Sequence, residues 1–278
     1  MTDLTTEYKG RILELKSLPA LPTTLQEVNR IMESPDASTE QIAKVISHDQ
    51  ALAAKVLRMV NSPIYGFPGR ISSLQHALML LGFNVIRGLI ISTAVFDAMN
   101  TSMSGLWDHS LGCSLACSEI AKATGRKNPE EYAVAGLLHD LGKAVFSLQI
   151  PEAKKDVDAL VAAEDISFYE AEVRTLGFGH DRINRWLGEH WNLPLFICGG
   201  MVHHHAPMQA EFHPDVAAVV QLGDFFARVF ECGSSGDNGV NAIDPRGLKI
   251  LGLNQKKIEE LLDSVGEEIF NVLAQHEG

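Results

Sequence analysis

The residues able to do chemistry lie in the second part of the chain. His139-Asp140 occurs within Ala135-Gly136-Leu137-Leu138-His139-Asp140-Leu141-Gly142-Lys143, a helical stretch that is otherwise largely apolar. A carboxylate in such surroundings costs several kcal/mol unless a metal ion or a cationic partner compensates it. Three more polar groups interrupt apolar patterns. His109 falls on a stripe with Leu106, Cys113, Ala116, Cys117 and Ile120, the spacing of one helix face. His180 opens the amphipathic segment from His180 to Gly188, and Asp224 sits in Val219-Val220-Gln221-Leu222-Gly223-Asp224-Phe225-Phe226. Asp224 must therefore face solvent on a narrow strip or meet a cation. His203-His204-His205 ends another apolar stretch. Consecutive residues lie about 100° apart around a helix, so at most two of these three can serve one site.

Together these residues form a set of imidazoles and carboxylates. Such donors suit iron or manganese better than zinc or magnesium, and the lack of thiolate among them argues against a closed structural zinc site. A dinuclear centre would need Asp140 to bridge its two divalent metals.

The elements that must position these residues read as helices. Thr24-Leu25-Gln26-Glu27, Ser38-Thr39-Glu40-Gln41 and Ser167-Phe168-Tyr169-Glu170 fit the capping box. Asn128-Pro129-Glu130-Glu131 orders a cap, an N1 proline and two acids, and Gly82, Gly125, Gly142 and Gly177 lie where C′ glycines end helices. No sustained strand alternation competes, so the expected fold is all-α, a bundle of short helices. Residues 233–239 read as a flexible surface loop rich in Gly, Ser, Asp and Asn. A run of small and polar residues at 98–105 suggests a boundary. The expected organisation is an N-terminal helical lobe at 1–100, a metal-site lobe at 101–232, and a loop with a C-terminal helical extension at 233–278. In that extension Ile258, Leu261, Leu262, Val265, Ile269 and Leu273 recur at helical spacing and are expected to cap the core.

Acidic residues outnumber basic ones 35 to 23, leaving a formal charge of −12 over 278 residues. A surface this negative repels nucleic-acid phosphates and anionic lipid, so nucleic-acid coating is not expected. The start has no basic, then apolar, leader pattern, and the most apolar run, Gly88 to Phe96, is far shorter than the ~20 residues of a membrane span. Cys113, Cys117, Cys198 and Cys232 form no CxxC pair and suit a reducing interior. A cytoplasmic protein with no membrane partner is expected.

In order and type, His109, His139-Asp140, His180, His204 and Asp224 resemble the ligand set of the HD superfamily of helical metal-dependent phosphohydrolases. The region before them resembles the HDOD domain, an HD-related output domain of bacterial signalling proteins. The residues that carry this are Leu18-Pro19-Ala20-Leu21-Pro22, Ile46-Ser47-His48-Asp49-Gln50-Ala51-Leu52, Val56-Leu57-Arg58-Met59-Val60-Asn61-Ser62, and Ile71 to Ala77 followed by Leu81-Gly82. The resemblance runs from about Leu18 to Asp224 and implies an all-helical, HD-like bundle. It implies that His109, His139, Asp140 and Asp224 hold one metal, and that His180 and His204 hold a second sharing Asp140. Lys143 matches a lysine that follows the HD pair in several HD phosphodiesterases, where its ammonium would meet a phosphate oxygen.

The HD-GYP phosphodiesterases, which cut cyclic di-GMP, carry a Glu and a Gly-Tyr-Pro stretch after the histidines, whereas this chain has Ala206-Pro207-Met208-Gln209. Cyclic dinucleotide hydrolysis is therefore not expected. The resemblance implies a regulatory protein with a retained metal site, whose partner is a signalling protein or a small phosphate-containing ligand. The alternative is a metal-dependent phosphohydrolase with Asp140 and Lys143 as its catalytic residues, and oxygen chemistry at a di-iron site ranks third.

Overall fold

The structure, a computed structural model, describes residues 4–13, 23–32, 34, 37–237 and 239–276. Among these the chain is all-α, as its capping signals and 3.6-residue periodicity predict, with no strand. The first helices are α1 (Leu4–Leu13), α2 (Thr23–Met32), α3 (Thr39–Ser47) and α4 (Gln50–Val60). A short 3-10 turn, Pro63–Tyr65, then leads to α5 (Leu74–Ser102). The middle of the chain holds α6 (Leu106–Ala123), α7 (Pro129–Leu138), α8 (Leu141–Gln149), α9 (Pro151–Glu164) and α10 (Phe168–Leu176). It continues with α11 (His180–His190), α12 (Leu195–His203), α13 (Pro214–Val229), α14 (Pro245–Leu251) and α15 (Gln255–His276).

Side-chain caps explain some of these boundaries. Ser38 forms a full capping box with Gln41, and the Ser167 hydroxyl accepts from the Glu170 N–H at 3.1 Å. Asn128 precedes Pro129 at N1 of α7 as expected, but its side chain makes no capping hydrogen bond. Thr24, in contrast, lies inside α2, which begins at Thr23, and so cannot cap it. Gly177 ends α10 with φ 80°, while Gly82 breaks α5 with φ 75°, both left-handed conformations that glycine adopts at little cost. Gly142 is no helix end. It lies in the first turn of α8, where the backbone of α11 comes too close for a side chain.

Two apolar clusters form the interior. One joins α1 to α5 with α8 to α12 through residues such as Val85, Leu89, Leu141, Phe146 and Trp186. The other joins α6 with α13 and α15 through Cys113, Cys117, Val220, Phe226, Leu261 and Val265. The apolar face of α15 thus covers α6, as its spacing predicts; Leu273 lies beyond the residues whose side chains are described. Helix α6 differs from the one-sided stripe expected of it. Ser110, Gly112, Ser114 and Leu115 are buried as well, so the helix is enclosed on nearly all sides.

The segment Leu74–Thr93 of α5 is long and apolar enough to cross a membrane, with a mean hydropathy of 1.5. It exceeds the apolar run from Gly88 to Phe96 that the sequence alone suggests. Val85, Ile86, Leu89, Ile90 and Ile91 are buried inside the protein, which makes this a core helix. The small and polar run at 98–105 is mostly helical, since α5 continues to Ser102 and α6 begins at Leu106.

Candidate metal centre

The two helix breaks at His139-Asp140 and His204-His205 build the site. His139 and Asp140 do not sit within one helix; they occupy the joint between α7 and α8, with Asp140 at φ −100°, ψ 11°. At such a joint adjacent side chains escape the 100° separation of a helix and can converge. His204 and His205 follow the end of α12 in the same way, while half-buried His203 stays outside the cluster. His109 comes from α6, His180 from the first position of α11, and Asp224 from α13.

These residues gather into two triads. His109, His139 and Asp224 present ligand atoms that all lie within 4.8 Å of one another, and so do His180, His204 and His205. Asp140 stands between them. Its Oδ2 is 3.4 Å from His139 Nε2 and 3.8 Å from His109 Nε2, and its Oδ1 is 3.2 Å from His180 Nε2 and 3.9 Å from His204 Nε2. One carboxylate thus addresses both triads, each through a different oxygen. Every sequence-predicted ligand is brought together here, and His205 joins them, with Nε2 2.9 Å from His180 Nε2.

Hydrogen bonds aim the rings. Nδ1 of His139 lies 2.7 Å from the Gly136 carbonyl, Nδ1 of His204 3.0 Å from the Met201 carbonyl, and Nδ1 of His180 2.6 Å from Glu172 Oε2. In the neutral tautomer with Nδ1–H donating outward, the Nε2 lone pair would face the interior, as a metal ligand requires. Glu172 also accepts from the His180 backbone N–H at 2.9 Å, satisfying an open donor at the start of α11. Nε2 of His139 and Oδ1 of Asp140 are buried with no well-directed hydrogen bond among the described residues, and Nε2 of His109 lies 2.9 Å from Asp224 Oδ1. Buried nitrogen and oxygen donors converging without full hydrogen-bond partners are what bound cations would satisfy. The donor set therefore fits divalent metal.

Charge in the site is compensated by cations drawn from nearby. Burial opposes ionisation of Asp140, but His139 and Lys143 hold its carboxyl well below the usual range. Burial likewise opposes ionisation of Asp224, which Arg228 and His109 keep well below normal. His204 and His205 are pushed well down, by burial first and then by neighbouring imidazoles, so both are neutral. His109 is lowered by burial. Burial also opposes charge on His180, yet Glu172 and Asp140 raise it to about 9.

Lys143 is fully buried and occupied. Its Nζ donates to Asp140 Oδ2 at 2.8 Å and to the Ser235 carbonyl at 3.0 Å, and lies 3.6 Å from Asp237 Oδ2. Arg228 binds Asp224 through Nε at 2.9 Å and Asp237 through Nη1 at 2.6 Å. The segment at 233–237, read from composition as flexible and surface-like, is therefore packed over the site. Ser235 and the Asp237 carboxylate are buried, and Ser234 N–H donates to the Gly105 carbonyl at 3.0 Å.

Several of these supporting residues escaped sequence reasoning, although some left a signal. Glu172 falls on the buried stripe of α10 with Phe168, Ala171 and Leu176, and Arg228 lies one turn after Asp224. Asn184 lies on the buried face of α11 with His180, Ile183 and Leu187. Its amide donates to the carbonyls of His139 and Met201 and accepts from the Gly142 N–H at 2.8 Å, so it ties the two ligand-bearing joints together. Asp237 left none, because its neighbours are turn formers.

The joint leaves no room for added atoms. A Cβ on Gly142 would stand 2.4 Å from the His180 carbonyl oxygen, which belongs to backbone. Gly142→Ala should lower stability by about 1–3 kcal/mol, the usual cost of overpacking. Urea unfolding with an unchanged slope would check this, and a shift below about 0.5 kcal/mol would show that α11 yields freely.

The centre opens through a cleft of about 200 Å³ lined by Ser167, Tyr169, His204, His205, Gln221 and Asp224 among others. That is smaller than the ~300 Å³ lower bound for pockets that enclose drug-sized ligands, so the cleft admits a small group rather than a whole nucleotide.

Comparison with known proteins agrees with the all-helical fold. The profile of the HDOD domain matches residues 18–207. An uncharacterized protein of Treponema pallidum (strain Nichols) is 27% identical over 82% of this chain, which spans 45% of that protein's length; the chain thus covers less than half of this curated relative. A crystal structure of an HDOD domain protein with unknown function from Geobacter sulfurreducens superposes with a TM-score of 0.72 at 27% identity, covering 98% of this chain and 96% of that one. A candidate phosphohydrolase from Shewanella amazonensis SB2B shares the fold, with a TM-score of 0.67 at 22% identity over 95% of this chain and 98% of its own. With an all-helical frame and a family match over more than half its length, the chain belongs to the HDOD domain family.

Proposed function

We propose that this is a regulatory HDOD protein with a retained dinuclear metal centre, with iron or manganese as the preferred metals. The observation that carries the reading is the pair of buried triads on either side of Asp140. His109, His139 and Asp224 would hold one ion, His180, His204 and His205 the other, and Asp140 both. Such ions, when bound, supply Lewis-acid charge toward phosphate oxygens. The protein's own residues fix ring orientation through Gly136, Met201 and Glu172, and shut solvent out except at the cleft.

The regulatory reading is favoured over catalysis by the state of the basic side chains. Lys143 and Arg228 are both paired with carboxylates, and the cleft is lined by no Lys or Arg that could receive a phosphate. A metal-dependent phosphohydrolase remains the second reading, favoured by the cleft that reaches His204, His205 and Asp224. A signalling protein or a small phosphate-bearing ligand is the expected partner, and a cytoplasmic setting the expected location.

Elemental analysis of protein purified without a histidine tag tests the proposal. Two equivalents of metal are expected, and none after reloading with manganese would sink it. Generic phosphomonoester and phosphodiester substrates with added Mn²⁺ separate the readings: turnover lost with the metals would establish hydrolysis, and silence at full occupancy would favour regulation.

Glu172→Gln offers a finer check, because it removes the carboxylate that aims His180. Affinity for the second equivalent of metal should fall about 10- to 100-fold, the usual effect of losing an outer-shell partner, with the first unchanged. Equal weakening of both in a chelator titration would contradict the two-triad assignment.

A further inference from the structure

A separate cleft of about 960 Å³ lies between the C-terminal half of α4 and residues 67–72, and shares no lining residue with the one at the metal centre. Its walls include Leu57, Arg58, Phe67, Pro68, Arg70 and Ile71. The size lies within the ~300–1,000 Å³ range of small-molecule sites. It is also pre-built. The Asn61 amide donates to the Leu57 carbonyl at 2.7 Å and to the Ile71 carbonyl at 2.8 Å, and its oxygen accepts from the Ile71 N–H at 2.8 Å. Those bonds pin the 62–71 segment to α4, and buried Ile64 anchors it from the other side.

Charge here runs against the rest of the chain. Although the protein carries a net −12, no Asp or Glu occurs from Gln50 to Phe96, a stretch that includes Lys55, Arg58, Arg70 and Arg87. No carboxylate lines the cleft, and neither Arg58 nor Arg70 forms an ion pair with a described residue. Two unneutralised guanidiniums beside one cleft are suited to bidentate binding of phosphate, with no carboxylate in the lining to oppose it. The apolar wall of Ala54, Leu57, Phe67 and Ile71 calls for a ligand with a flat, non-polar body as well as charge. Inorganic phosphate would leave that wall bare.

We propose that this cleft is a nucleotide-binding site, with Arg58 and Arg70 taking the phosphates and Phe67 the base. It is distinct from the metal centre and independent of whether that centre holds metal.

Fluorescence anisotropy of the full chain with N-methylanthraniloyl-labelled ATP and GTP tests this. Saturable binding of at least one is expected, displaced by its unlabelled parent and at least tenfold less well by pyrophosphate or by the nucleoside alone. Arg58→Ala and Arg70→Ala, both at exposed positions, should each weaken binding at least tenfold, and Phe67→Ala should do the same, with circular dichroism and metal content unchanged. Asp140→Asn should leave the affinity within twofold. The proposal fails if neither nucleotide binds, if the double arginine variant binds as wild type does, or if Asp140→Asn abolishes binding, which would move the ligand to the metal centre. It fails too if a poly-glutamate peptide displaces the probe as well as the parent nucleotide does, which would mark the cleft as a docking surface for acidic protein.

Discussion

Asp140→Asn should empty both metal sites at once. The substitution keeps the side chain's shape but removes the one carboxylate among the described residues that faces both triads, through Oδ2 toward His139 and Oδ1 toward His180. Loss of an outer-shell partner costs about 10- to 100-fold in metal affinity, and loss of a shared ligand must exceed that at each site. The consequence extends to stability. A metal present at a thousand times its dissociation constant stabilises the folded state by about 4 kcal/mol, so added Mn²⁺ should raise the wild-type melting temperature and leave the variant's unmoved. If the variant retains one full equivalent by elemental analysis, Asp140 serves one triad only and the bridge is refuted.

Lys143→Met should cost about 3–5 kcal/mol in metal-free protein, the penalty for breaking a buried ion pair from one side. The lysine lies among Asp140, Asp237 and the Ser235 carbonyl, and methionine matches its length but leaves these acceptors without their cation. Divalent ions beside Asp140 would replace much of that positive charge. The loss should therefore shrink by at least half in manganese-loaded protein. Denaturant unfolding of chelator-treated and manganese-loaded samples provides the comparison, and an equal loss in both would show that Lys143 and the metals do not share the same carboxylate field. The result bears on the part that resemblance implies for Lys143. Its ammonium makes its hydrogen bonds to Asp140 and the Ser235 carbonyl, a position from which it would balance the centre's charge.

How much of this was legible beforehand differs from residue to residue. The Ser38 and Ser167 caps, Pro129 at N1 and the apolar face of α15 could be read because each depends on neighbours within one or two turns. Asp224 could be recognised as a charge in need of a partner, and Arg228 one turn later is that partner. Position within the histidine triplet was harder. Helical geometry allows two of the three to converge, but only the end of α12 determines that they are His204 and His205. The loop at 233–237 was misread, since Gly and Ser forecast permissive backbone and say nothing about whether a buried Lys and Arg wait beneath an aspartate.

From local periodicity and residue types the chain was committed to helices and to a mixed imidazole and carboxylate set, while its kinship with the HDOD family was carried by the resemblance of the motifs between Leu18 and Gly82. What the tertiary structure decided was convergence: that breaks at 139–140 and 204–205 turn neighbouring side chains inward, that Glu172 and Asn184 hold those breaks in place, and that Asp237 closes the charge balance from 97 residues beyond Asp140. Such contacts join segments far apart in sequence, and no local rule of spacing encodes which distant backbone will meet which buried charge.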